Sequence, residues 1–148
     1  MKKFIIAVIA LMTMFPAIGN AQLVVKDNTK IETLSSARMG IVRLDRDGDT
    51  YFMCLTTTNQ YDDPFLVYIG EDKDSAVQTM KDIVSLFDSI GKKDVVTIDN
   101  AGKDCLISKT MGTLYMSMAG YAGQANITRA ELVKFLKALS PEDAAALE

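Results

Sequence analysis

The sequence predicts an α+β protein: an antiparallel sheet of about six or more strands with two helices packed on one face. Short apolar runs are punctuated by Asp47-Gly48 and Asn100-Ala101-Gly102, the punctuation expected of hairpins. Two longer segments repeat apolar residues at every third or fourth position, as amphipathic helices do. This order, strands and then a helix, runs twice along the chain. Ile41-Val42-Arg43-Leu44-Asp45-Arg46-Asp47-Gly48 reads against Val95-Val96-Thr97-Ile98-Asp99-Asn100-Ala101-Gly102, which suggests a pseudo-duplicated βββα unit.

Taken in order, residues 1–21 read as a secretory signal peptide. Lys2 and Lys3 precede an uncharged run from Phe4 to Met14, Pro16 breaks it, and Gly19 and Ala21 supply the small residues of a cleavage site. The run of about eleven apolar residues is too short for a membrane-spanning helix, which needs roughly twenty. The expectation is an exported protein, periplasmic or secreted, with no stable membrane anchor after cleavage. Residues 22–148 then form a single α+β domain with half-repeats 38–91 and 92–140. Leu23 to Lys26 and Lys30 to Leu34 are candidates for an added edge strand.

In the first half, Asp47-Gly48 is expected to form a type I′ turn between strands ending at Gly48 and starting at Tyr51. Phe65 to Ile69 follows as a third strand. The helix is read from Ser75-Ala76-Val77-Gln78 as a capping box, with Val77, Met80, Ile83, Val84, Phe87 and Ile90 as its apolar stripe and Gly91 as its stop. In the second half, Cys105 to Ile107 and Leu114 to Met118 supply strands. Thr128-Arg129-Ala130-Glu131 caps a helix with the stripe Leu132, Phe135, Leu136 and Leu139, ended by Ser140-Pro141. The glycines of Gly120-Tyr121-Ala122-Gly123 read as loop residues rather than as an anion cradle, because no P-loop lysine follows.

Composition removes several functions. The chain has no His, hence no histidine general base, no zinc-histidine site and no Ser-His or Cys-His nucleophile. Its 19 acidic residues exceed its 16 basic ones, two of which lie in the signal segment. At fold level two meander-plus-helix units resemble Whirly and PUR-type domains, a resemblance that implies binding of single-stranded nucleic acid. No motif of those families accompanies it, and acidity argues for no nucleic-acid partner.

Asp45-Arg46-Asp47-Gly48-Asp49 matches the opening of a calcium loop, but Thr50 stands where that loop needs Gly and Thr56 where it needs the bidentate Glu. No metal site, cofactor or catalytic residue is therefore assigned. Cys54 and Cys105 are an even pair, yet strand parity puts Cys105 on the core-facing set with Tyr51 and Cys54 on the opposite face with Phe52, which disfavours a bridge. The same parity sends Val42, Leu44, Met53, Leu114 and Met116 toward the helices. Phe52, Leu66, Tyr68 and Tyr115 point the other way, onto a face too apolar for a free surface. These four are the candidate partner-binding residues of a homodimer or a protein complex. The runner-up is a carboxylate- or calcium-dependent exported hydrolase built on Asp45, Asp47, Asp49 and Asp99.

The mature protein is expected to begin at Gln22. N-terminal sequencing from the producing cell checks this, and an intact Met1 in the soluble cytoplasmic fraction would overturn it.

Overall fold

A computed structural model describes residues 30–148. The signal segment and the candidate strand at Leu23 to Lys26 lie outside the described residues. The fold is α+β, but the strands form two four-stranded antiparallel sheets rather than one sheet of six or more. The first is β1 (Glu32–Ala37), β2 (Val42–Asp47), β3 (Thr50–Leu55) and β4 (Phe65–Gly70), followed by α1 (Lys73–Ser89). The second is β5 (Val95–Asn100), β6 (Lys103–Thr110), β7 (Thr113–Met118) and β8 (Ala125–Thr128), followed by α2 (Arg129–Leu139) and a short α3 (Pro141–Ala145). Strand order in each sheet follows chain order. Each half is thus four strands and a helix. The hairpin that the sequence pairs across the halves is β2-β3 in one and β5-β6 in the other, so the sequence recurrence is one strand out of step with the topology.

The helices do not lie together on one face of a single sheet. They pack on each other, α1 also against β4, and α2 against β8 and against β1 of the other sheet. One apolar cluster results, fed by both sheets through residues such as Leu44, Met53, Phe65, Ile107, Met116 and Ile127, and by both helices through Met80, Val84, Phe135 and Leu136. The predicted parity holds along these strands: Val42, Leu44, Tyr51, Met53, Leu114 and Met116 are buried, while Ile41, Leu66, Val95 and Leu106 are exposed. A strand's period of two makes this legible before any pairing is known.

Turn chemistry differs from the expectation. Asp47 pairs with Thr50, so the loop residues are Gly48 and Asp49, and only Gly48 has positive φ, the pattern of a type II′ turn. The type I′ pattern, positive φ at both central residues, falls instead at Ala101-Gly102 and at Met111-Gly112. The helix starts also shift. Asp72 rather than Ser75 caps α1, accepting from the Ser75 amide at 2.7 Å, while the Ser75 hydroxyl accepts from the Asp72 amide. A carboxylate at this position caps as well as a hydroxyl does and adds charge at the positive end of the helix. Gly91 is not a left-handed stop: Ile90 ends α1 in extended conformation, and the Gly91 amide donates to Asp94 Oδ2. The capping box at Thr128 and Glu131 forms as expected.

The glycine-rich loop does hold an anion, one supplied by the chain itself. The amides of Ala122 and Gly123 donate to Asp62 at 3.1 and 2.8 Å, and Thr57 Oγ1 and Asn59 Nδ2 complete the set. Beside it Thr57 bridges to Ala125, and the Thr58 amide donates to the Gln124 carbonyl, so the loop after β3 is stitched to β8 of the other sheet. Gly123 is required by proximity, since a Cβ there would stand 2.5 Å from the Asn59 nitrogen.

The Gly123 amide first, then the Thr57 hydroxyl, hold the Asp62 carboxyl below the ordinary carboxylate range. A folded-state pKa below the unfolded one contributes stability above the unfolded value, about 4, and that contribution disappears as pH falls through the folded value. Asp62→Asn is therefore expected to melt below wild type at neutral pH and to converge with it in acid. Thermal melts across that range check this, and parallel curves would refute it.

Candidate partner-binding face

Phe52 on β3 stands directly opposite Tyr68 on β4, and Leu66 lies two residues along the same strand on the same face. With Met118, Tyr121, Ala101, Asn100 and Lys103 they line an open groove of about 310 Å³ where the first sheet meets the β5-β6 hairpin. Leu66 is 46% exposed, while Phe52 and Tyr68 are half-buried. Three of the four candidate residues therefore share one site. Tyr115 does not line it. It sits on the outer face of the second sheet, between Ser108 on β6 and Asn126 on β8.

Asn100 is the residue that sequence reasoning missed, having been taken only as part of a turn. Its side chain is buried at the sheet junction, where Nδ2 donates to the Leu66 carbonyl at 2.9 Å and Oδ1 accepts from the Tyr68 amide at 2.8 Å. It satisfies the outward-facing groups of β4 much as a neighbouring strand would. Nδ2 also lies 3.3 Å from Met118 Sδ in the groove wall. Its neighbour Tyr121 closes the groove: the ring packs on Phe65 with centroids 4.7 Å apart, and its hydroxyl donates to the Pro64 carbonyl. Burial, and then the nearby Glu71 carboxylate, push the Tyr68 hydroxyl above the ordinary phenol range.

On the same outer face lies a polar row that corrects the sequence reading of Asp45. Asp45, grouped by the sequence with the turn as the opening of a calcium-like loop, is within β2 and only 1% exposed. It pairs with Phe52, accepts from Thr33 Oγ1 at 2.7 Å and from Arg43 Nε at 3.0 Å. Arg43 Nη2 then reaches Cys54 Sγ at 3.4 Å. A buried carboxylate survives because both of its oxygens are bonded, one by a guanidinium. Alternation alone could have flagged it, since Asp45 falls on the outer set with Arg43 and Asp47. The other carboxylates of the hydrolase reading do not join it. Asp47 ends β2 and Asp49 is in the turn, and Asp99 is in the second sheet, its Oδ1 accepting from the Gly102 amide. Among the described residues, no three His, Cys, Asp or Glu side chains gather closely enough to hold a metal ion. Cys54 and Cys105 are both free and buried, and burial raises both thiols above the ordinary range.

No family model matches the chain, and neither a curated protein nor a solved structure matches it. The groove and its surroundings are therefore interpreted from their own chemistry.

Asn100→Ala leaves the Tyr68 amide and the Leu66 carbonyl without partners at the sheet junction. The expected loss is about 1–3 kcal/mol, the penalty for a buried unsatisfied polar group. Denaturant unfolding measures it, and an unchanged midpoint would mean that water replaces the amide.

Proposed function

We propose that the chain is a small exported binding module, periplasmic or secreted, that holds a protein partner through its outer sheet face. The observation that carries the proposal is the convergence of Phe52, Leu66 and Tyr68 on one groove, on the side of the first sheet that its own helix leaves uncovered. The groove's volume lies at the lower end of the range for small-molecule pockets, about 300–1,000 Å³, and it is open. It suits one or two apolar side chains of a protein better than an enclosed ligand. Aromatic residues with a polar rim are the composition that such contacts favour. Lys103 and the Tyr68 hydroxyl supply that rim.

Export rests on the signal-like segment, and the binding role on this surface. Leu66→Glu combined with Tyr68→Glu tests the role. At an interface the two carboxylates would be desolvated, whereas on a free surface they stay hydrated. The double variant is expected to keep its melting temperature within a few degrees. It should also fail to retain the protein that wild type captures from the envelope or secreted fraction. Equal capture by wild type and variant would sink the proposal, and so would a variant that unfolds, since the face would then be core.

A further inference from the structure

Two four-stranded sheets have four edges, and three of them are contacted by other parts of the chain. On β1 the register shifts between Thr33 and Ser35, and Lys134 Nζ donates to the Ser36 carbonyl at 2.6 Å. On β4 the Asn100 side chain occupies the edge. On β8 the bridge between Thr57 and Ala125 does so. The fourth edge is β5, which pairs with β6 alone. Among the described residues no side chain and no second strand bonds its free backbone groups. It has no Pro and no bulge, and its one in-strand charge, Asp99, is on the outer side. Val95-Val96-Thr97-Ile98 is β-branched throughout, the composition that pairs most readily.

We propose that β5 is an interface between two copies of this chain, joined edge to edge as antiparallel strands. The charges around the strand select both the partner and the register. Val96 and Ile98 face the core side, while Val95, Thr97 and Asp99 are exposed on the outer side. A two-fold axis perpendicular to the sheet keeps these faces aligned only if one residue pairs with its own copy. With Val96 at the axis, Val95 stands opposite Thr97, and Lys93, exposed in the turn before the strand, comes to the end of the ladder beside Asp99 of the other copy. This occurs twice by symmetry. Moving the axis to Val95 sets Lys93 against Thr97, and moving it to Thr97 sets Val95 against Asp99. Neither matches charge. The Asp99 carboxylate forms no ion pair within the described residues; its Oδ1 accepts from the Gly102 amide. Pairing at Val96 would make one eight-stranded sheet from the two copies and join their outer faces, adding Val95 to each.

Charge reversal decides the matter. Wild type is expected to sediment as a dimer at high micromolar concentration. Lys93→Glu sets an acid against Asp99, and Asp99→Lys sets a lysine against Lys93. Each variant should weaken dimerisation by about tenfold or more, since two favourable cross-strand pairs become two repulsive ones. Melting of each variant in dilute solution confirms that its fold is intact. An equimolar mixture of the two should regain the dimer, because each mixed interface again opposes acid and base. A wild type that is monomeric throughout would overturn the proposal, as would variants that dimerise like wild type or a mixture that fails to recover. A dimer lost in Leu66→Glu, Tyr68→Glu but kept in Lys93→Glu would also overturn it, placing self-association on the outer face instead of the edge.

Discussion

The side chain of Asn100 sits where two sheets that share no continuous ladder come together, and the placement of the groove depends on it. Each sheet pairs its strands in chain order, and one core forms where the apolar faces of both lie against the same pair of helices. That leaves the edge of β4 facing the β5-β6 hairpin with backbone groups to satisfy. An amide side chain, which carries both a donor and an acceptor, meets both demands from a single residue. Aspartate would lack the donor, and serine would lack the reach.

A second set of contacts works at the other junction and follows a different logic. There the loop after β3 meets the glycine-rich loop before β8, and the two are joined by a carboxylate surrounded by amides and hydroxyls. Further along, Arg38 spans the gap between the two halves with a bidentate grip on Glu131 and a bond to Asn126. Arg38 and Met39 have positive φ despite bearing side chains, and the fixed guanidinium gives a physical reason for that backbone to be held. Glu131 meanwhile keeps its place in the capping box of α2. Helix capping and attachment of the halves thus use the same carboxylate.

The parts of this fold that could be read from sequence are those set by local periodicity. Alternation assigned the inner and outer residues of β2, β3, β4 and β7, because a strand's faces are fixed whether or not its neighbours are known. The helical stripes were legible for the same reason. Division into two sheets was not, since nothing in the run from Phe65 to Val95 distinguishes a helix that returns the chain to the same sheet from one that begins another. The strand β8 was hidden because Ala125-Asn126-Ile127-Thr128 is short and adjoins glycines that read as loop. For the groove, alternation supplied Phe52, Leu66 and Tyr68, whereas Asn100 and Tyr121 reach it through tertiary placement alone. Tyr115 shares their parity, but parity carries no information about which sheet a strand belongs to.

The contact between Arg43 and Cys54 bears on the redox behaviour of the chain. A thiolate reacts and a thiol does not, and burial raises Cys54 despite the guanidinium beside it, while Cys105 lies in the core with no charged neighbour recorded for it. Cys54 is on the outer set of its sheet and Cys105 on the core-facing set of the other, and both are free. Folding itself thus acts as the protecting group for both thiols. The period in which mispairing is open to them ends when the core closes.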